Sequence, residues 1–518
     1  LNYLLGIDLG TSSVRAILIN VEGKVCSLAG QEYPILYPEP GAAEQDPDHW
    51  WEATCKSIQK ILQQTGVSPS SITGIGLSGQ MHGLVTIDAQ GKWSRPAIIW
   101  VDKRTTRECQ EIKEKIGEEK LYLITGNPVA TGFLGPSLLW LRNWERKVYR
   151  RIYKVLLPKD YLRWKLTGEI ATEPTDAVGT ALFDIKKGEW ATEILDKLEI
   201  SEKIMPDILP SLSIGGKITP VAASETGLKE GTPVILGGGD QAMGAIGNGA
   251  VSPGVAASTI GTGGQLVVCI DQVLFDSGRR LHLLVHALPR RWLLMGAMLS
   301  AGLSLRWLRD QIFPLEKLMG ESTGIDPYEL LSREAERVTP GADGLLFLPY
   351  LLGERTPHMD PYARGVFFGL KLEHHRGHMI RAVMEGVVFG LRDCWEIFRS
   401  LGVEIHRLIA SGGGARSRVW RQIQADILGI PLTISESQEH SALGAAILAG
   451  VGVNIFPDLE TACQNYISHA QETIPLLENK VKYEHYYRIY RSLYLQLRES
   501  FRELSQITDC PAGRYSKC

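Results

Sequence analysis

No stretch of this chain is apolar for long enough to span a bilayer as a helix, and no Cys-x-x-Cys pair occurs in it. The first absence gives no transmembrane segment. The second argues against a zinc ribbon or a thioredoxin-like redox centre. The eight cysteines, at 26, 55, 109, 269, 394, 463, 510 and 518, are scattered through 518 residues. They suggest no disulfide framework, and the expectation is reduced thiols in a cytoplasmic protein. Large net charge is also missing: 55 basic against 58 acidic residues leave −3 with histidine neutral. That removes any bulk electrostatic case for nucleic-acid or membrane partners. No basic leader with a cleavage site opens the sequence, so a secretory signal is not expected. A Walker A loop is lacking too. Gly10-Thr11-Ser12-Ser13 contains no lysine and runs into a strand, not a helix.

What is present begins with length, which predicts two or more domains. Near the midpoint stands Gly237-Gly238-Gly239-Asp240-Gln241-Ala242, after the strand pattern Thr232 to Leu236 and ahead of a small-residue helix. The glycines permit a sharp turn and close approach of a ligand. Asp240 at the helix start is either a cap or a base at the mouth of a site. The run also fits a loose dinucleotide fingerprint. That pattern needs an acid about 20 positions on, and Val255 to Ile260 supplies none.

Tyr3 to Leu9 and Val14 to Ile19 read as an antiparallel hairpin with Gly-Thr at its turn. Val255 to Ile260, then Gly261-Thr262-Gly263-Gly264 and a second strand, repeat the device. An internal duplication follows, with two turns that each offer N–H groups and a hydroxyl to an anion. Asp46-Pro47 predicts a helix start and Gly66 its stop. Ile72 to Leu77, Leu84 to Ile87 and Ala97 to Trp100 predict strands, and His378 to Leu401 predicts a long helix. Arg407 to Ala410, then Gly412-Gly413-Gly414-Ala415 and a helix from Val419, has the form of a nucleotide site. Ser441 to Ala446 opens a helix of small residues that lets a neighbour pack closely. A last helix runs from Tyr483 to Leu504, and Cys510 to Cys518 reads as a loose tail.

Asp8 interrupts an apolar strand. A lone buried carboxylate is costly, so it either bonds the turn's own N–H groups or faces magnesium, which uses few carboxylates and keeps waters. His82, in Gln80-Met81-His82-Gly83, lies on a strand-to-strand loop and not on a periodic face. It is either a surface turn residue or a contact to a polar small molecule. Trp100, Asp102 and Arg104 at a strand end are either core or the lining of a sugar pocket.

These stretches, with Leu157-Pro158-Lys159-Asp160-Tyr161-Leu162, Gly353-Glu354-Arg355-Thr356-Pro357 and the region from Gly365 to Glu385, resemble the FGGY carbohydrate kinases over nearly the whole chain. The Gln-Met-His-Gly loop is most particular to members that phosphorylate D-xylulose. The resemblance implies an α/β fold of two duplicated actin-like ATPase (ribonuclease H-like) domains with a cleft between them. They would comprise residues 1–247, with the sugar site and first phosphate loop, and 248–480, which bind ATP. Residues 481–518 would form a C-terminal helix and tail.

The same resemblance implies ATP and Mg²⁺ as cofactors, a sugar partner and phosphorylation of D-xylulose to its 5-phosphate, with a homodimer left open. Asp240 corresponds to the catalytic base. Gln80, Met81, His82, Trp100, Asp102 and Asp240 would bind sugar. Gly10, Thr11, Ser12, Ser13, Arg15, Gly261, Thr262 and Gly263 would hold phosphates. Gly412, Gly413, Gly414 and Ala415 would hold adenosine, and Asp8 with Asp240 the metal. Gln241 and Val101 stand where asparagine is usual, Ser137 where lysine is, and Gly263 where serine is common. The first two positions bear on which sugar is used. A kinase of ribulose, gluconate or fuculose is an alternative, and a non-catalytic actin-like ATPase is another.

Overall fold

The computed structural model describes residues 2–435, 439–466 and 472–508. The expected tail from Cys510 to Cys518 lies outside them. The chain forms two compact units that interleave in sequence. The first comprises Leu1–Pro253, Cys269–Leu293 and Ser437–Ser468, and the second Gly254–Val268, Leu294–Glu436 and His469–Cys518.

The first unit is built on a sheet whose strands run in the order Ile214–Lys217, Pro233–Ile235, Ile72–Gly79, Tyr3–Leu9, Ser13–Asn20 and Val25–Glu32. Tyr3–Leu9 pairs antiparallel with Ser13–Asn20 and parallel with Ile72–Gly79. Alternation buries Leu5, Ile7 and Leu9 against Trp50, Ile58 and Ile61 of the helix Pro47–Thr65. That helix starts as its sequence predicts. Asp46 accepts from Asp48 N–H at 2.8 Å, proline follows, and Gly66 closes it in the left-handed region.

On the sheet lies the helix His440–Gly452, which is far along the sequence and is buried on nearly all sides. It needs glycine beneath it. A Cβ on Gly6 would come within 2.0 Å of the Ala442 carbonyl, and one on Gly76 within 1.9 Å of the Ala445 carbonyl. The same helix meets Asp240–Gly247, where a Cβ on Gly444 would lie 1.9 Å from the Met243 carbonyl. Its small residues therefore act as the sequence implied.

The second unit repeats the plan. Its strands run Trp292–Met298, Gly264–Ile270, Val255–Ile260, Arg407–Ser411, Leu432–Ile434 and Glu472–Thr473. Val255–Ile260 pairs antiparallel with Gly264–Ile270 and parallel with Arg407–Ser411. The duplication read from the Gly-Thr turns is thus a duplication of sheet topology. The turns differ in length: Leu9 pairs with Val14, whereas Ile260 pairs with Gly264. The second turn is therefore one residue shorter than the Gly261-Thr262-Gly263-Gly264 read from the sequence, because Gly264 already pairs with Ile260.

Other boundaries moved as well. Only Ala97–Ile98 is a strand, the chain turning at Trp100. The long helices extend over Arg376–Ser400 and Leu477–Thr508.

Candidate active site

Strand register brings the two acids of the first unit together. Asp8 pairs with Ser78 across the parallel ladder, and Gly238 pairs with Ser78 from the other side. Gly239 pairs with Gly79, and the next residue is Asp240, first of its helix. The cap position belongs to Gly239, so the reading of Asp240 as a helix cap is set aside.

Both acids are half-buried at the carboxyl ends of these strands. Burial pushes Asp240 up to about 7, with the Asp8 charge adding to the rise and the Gln241 amides opposing it. Burial likewise pushes Asp8 up to about 6, the Ser78 hydroxyl opposing and Glu439 adding. Asp8 Oδ1 is buried without a hydrogen-bond partner. Such an atom invites a cation or a donor from a ligand. It fits a water-keeping Mg²⁺ served by few carboxylates. Among the described residues no group of three or more His, Cys, Asp or Glu forms a metal cage.

The Met81-His82 loop meets the glycine run. A Cβ on Gly239 would lie 2.8 Å from Met81 Cγ. His82 adopts φ +76°, a left-handed conformation that costs a non-glycine residue roughly 1–2 kcal/mol. Its ring stacks on Phe133 with centroids 4.1 Å apart, and Nδ1 lies 2.6 Å from the Gly179 carbonyl. A carbonyl only accepts, so Nδ1 carries the proton, and in the neutral ring Nε2 is the acceptor. Strain, stacking and a fixed tautomer orient this ring, which a surface turn residue does not require.

Trp100 is 42% exposed and its Nε1–H donates to Thr11 Oγ1 at 2.8 Å. Gln80 donates to Gln45 Oε1 at 2.9 Å, and Gln45 donates to the Thr11 carbonyl at 2.6 Å. The Gln80 Oε1 atom is buried and unbonded. Gly10 N–H closes the turn on the Ser13 carbonyl at 3.0 Å, leaving Thr11 and the exposed Ser12 at its tip. Arg15 is exposed and lies 3.8 Å from Glu439. Asp102 stands apart from this group. It is fully buried, and its oxygens accept from Ala43 N–H at 2.7 Å and Arg104 Nε at 2.8 Å.

Lys159 and Asp160 entered the sequence reading only through the family resemblance, which gave no hint of the charged cluster they form with Glu173 and Asp176 near Asp240. Lys159, with no exposure, lies 2.7 Å from Asp160, 3.3 Å from Glu173 and 3.5 Å from Asp176. Burial works against the Lys159 charge, but the three carboxylates outweigh it and hold its pKa above the usual value. The signal available was Glu173-Pro174, a capping acid followed by proline. Phe133 and Gly179, on which His82 rests, carried no local signal.

In the second unit, Gly261, Thr262, Gly413 and Gly414 line a cavity of about 650 Å³, a size suited to a small-molecule ligand. Gly412 at φ +77° turns the chain into it, and a Cβ there would meet the Ile260 carbonyl at 2.7 Å. The Thr262 carbonyl accepts from Ala301 N–H at 3.1 Å and Leu303 N–H at 3.0 Å, which fixes the turn. Another wall comes from the helix Pro327–Glu336, through Tyr328, Ser332 and Glu336, which the sequence had not indicated. Gly263, Gly412 and Ala415 are not among the lining residues.

The N-terminal domain of the FGGY family of carbohydrate kinases matches residues 3–247, and the C-terminal domain of that family matches residues 256–453. The xylulose kinase of Bacillus subtilis is 38% identical over 96% of this chain and 98% of its own length. The chain belongs to the FGGY family of carbohydrate kinases. It is a sugar kinase, and its fold is the two-domain FGGY fold of actin-like sugar kinases. A xylulose kinase structure from Rhodospirillum rubrum superposes with a TM-score of 0.88 at 30% identity, covering 97% of this chain and all (100%) of that one. The gluconokinase of Bacillus subtilis is 34% identical over 86% of this chain and 87% of its own length. As an FGGY sugar kinase the chain uses ATP as phosphoryl donor. No helix among the described residues is long and apolar enough to cross a membrane.

Proposed function

We propose that this sugar kinase phosphorylates D-xylulose at its terminal hydroxyl, with Asp240 as the general base. The observation that carries the reading is the packing of the Met81-His82 loop against Gly239, immediately before Asp240. Relatives named xylulose kinase, 38% identical over nearly full length, favour that sugar.

Phosphoryl transfer through a loose transition state rests on positioning and charge stabilisation. Asp240 takes the hydroxyl proton. A carboxylate at about 7 is a far better acceptor than an ordinary aspartate, and about half of it is ionised at neutral pH. His82 Nε2, its tautomer fixed by Gly179, accepts from a sugar hydroxyl. Trp100, its indole held by Thr11, offers an apolar face to the sugar's carbon chain. Thr11 and Thr262 and their turns hold phosphate oxygens, and the cavity of the second unit takes the adenosine. Asp8 and Asp240 are the residues that would hold Mg²⁺, which neutralises phosphate charge when bound. The cysteines among the described residues are all free, which suits a reducing cytoplasm.

The test is ADP release over a panel of D-xylulose, D-ribulose, L-fuculose, gluconate and glycerol. D-xylulose should give the highest kcat/KM. Preference for gluconate, the second reading that the gluconokinase relative supports, would overturn the sugar assignment. Asp240→Ala should abolish transfer while leaving ATP affinity within about threefold, base catalysis alone being worth roughly 10²–10⁴-fold. Ordinary turnover in that variant would remove Asp240 from the base role.

A further inference from the structure

We propose that Thr175 is a positioning residue for phosphoryl transfer: its hydroxyl oxygen fixes the Gly238–Gly239 peptide, immediately before the residue that carries the base, Asp240. This rests on the reading of Asp240 as the base. The Gly239 N–H donates to Thr175 Oγ1 at 2.9 Å, and Thr175 is 1% exposed. Gly239 is the last residue before the Asp240 helix, and its amide is one of the donors that a helix start leaves without an intrahelical partner. Fixing that amide fixes where the Asp240 carboxylate emerges.

The glycine run is pressed into this place from several sides. A Cβ on Gly238 would meet Thr175 Oγ1 at 2.8 Å and Met243 Cε at 2.6 Å, while Gly239 is hemmed by Met81. The peptide therefore touches the candidate sugar loop on one side and Thr175 on the other.

Thr175 is itself held. Glu173 caps its short helix, accepting from Thr175 N–H at 2.7 Å and Asp176 N–H at 3.0 Å. The Ser211 hydroxyl donates to Glu173 at 2.8 Å, and Lys159 lies 3.3 Å from it. Lys159 also lies 3.5 Å from Asp176, whose carboxylate oxygens have no hydrogen-bond partner. A fully buried lysine amid three buried carboxylates is an expensive arrangement for stability alone. Its geometric result is a rigid Glu173-Pro174-Thr175-Asp176 turn aimed at the glycine run.

The experiment uses the full chain. Thr175→Val keeps the shape and removes the acceptor, Thr175→Ser keeps the acceptor, and Thr175→Cys puts a poor acceptor in its place. In Thr175→Val kcat should fall roughly ten- to a hundredfold, the scale of a small misplacement of a catalytic group. The KM values for sugar and ATP should stay within about twofold, because neither ligand touches Thr175 in this scheme. Thr175→Ser should recover most of kcat, and Thr175→Cys should fall between. Thermal melting of each variant separates misplacement from unfolding, and Thr175→Cys carries the test should the valine variant not fold. Wild-type kcat in a folded Val or Cys variant would overturn the proposal. So would a loss that Ser does not recover, or one that appears in KM for ATP. Asp240→Ala, measured alongside, keeps the two readings apart. If it is inactive while Thr175→Val is normal, only the positioning role fails; if it is active, the base assignment itself fails.

Discussion

In the first unit the strand Tyr3–Leu9 sets Asp8 opposite Ser78, and in the second the strand Val255–Ile260 sets Thr259 opposite Ser411. The positions are equivalent, since one precedes Leu9-Gly10-Thr11 and the other Ile260-Gly261-Thr262. Thr259 and Ser411 satisfy each other through a hydroxyl–hydroxyl bond of 2.8 Å. Asp8 keeps a buried oxygen unbonded. The second unit shows how this fold places a polar pair there at little cost. The first unit departs from that solution in the direction that costs stability and supplies charge. A neighbouring contrast has a purely steric origin. Gly6 lies under the helix His440–Gly452, whereas its counterpart Ala257 is an ordinary buried alanine.

The largest effect should come from making the first hairpin like the second. Asp8→Thr should lower kcat about 10²-fold or more, the scale seen when a charge-stabilising group is lost. The melting temperature should hold or rise, because a buried unpaired charge has gone. A steady-state assay beside a melting curve checks both, and unchanged kcat would leave the contrast without functional meaning.

Next comes Gly6→Ala, which also imports the second unit's residue. Its Cβ would meet backbone, which cannot swing aside, so about 1–3 kcal/mol of stability should be lost in urea titration. Ala257→Gly should cost less, roughly 0.5–1 kcal/mol.

A smaller effect concerns pH. Asp240 at about 7 must be ionised to accept a proton, so kcat/KM should fall below about pH 7, approaching tenfold per unit. The residual activity of Asp8→Thr should show that limb at lower pH, because the Asp8 charge contributes to the rise. For stability the sign is the reverse. Asp8 and Asp240 bind protons more tightly when folded, against an ordinary aspartate value of 3.8. The folded state therefore holds more protons between about pH 4 and 7, and stability declines as pH rises through that window. Asp8→Thr should flatten part of the decline.

The smallest effect is in the second hairpin. Thr259→Val removes one hydroxyl pair and should cost about 0.5–1.5 kcal/mol, with kcat for the sugar unchanged. A tenfold fall in kcat would mean that Thr259 is no inert counterpart of Asp8.

Much of this was legible along the chain because the signals were local. Alternating apolar residues around Gly-Thr turns specify hairpins, Asp46-Pro47 specifies a helix start, and a lone acid after three glycines marks itself. The Ser78 partner of Asp8 was not legible, since it depends on a parallel register between strands far apart in sequence. Nor was the burial of Asp102 beneath Arg104, because an acid at a strand end looks the same whether it faces a ligand or an arginine.

By itself the sequence determined the duplicated hairpins, the glycine-flanked acid and the family, because these depend on residues near one another and on their order. Tertiary structure alone decided that His440–Gly452 returns to the first unit, that Asp8 and Gly238 flank Ser78 with Asp240 two residues beyond, and that Thr175 reaches the Gly239 amide. Each of those contacts joins segments dozens to hundreds of residues apart. Only packed backbones bring such segments within hydrogen-bond distance, and no local preference of either segment encodes the meeting.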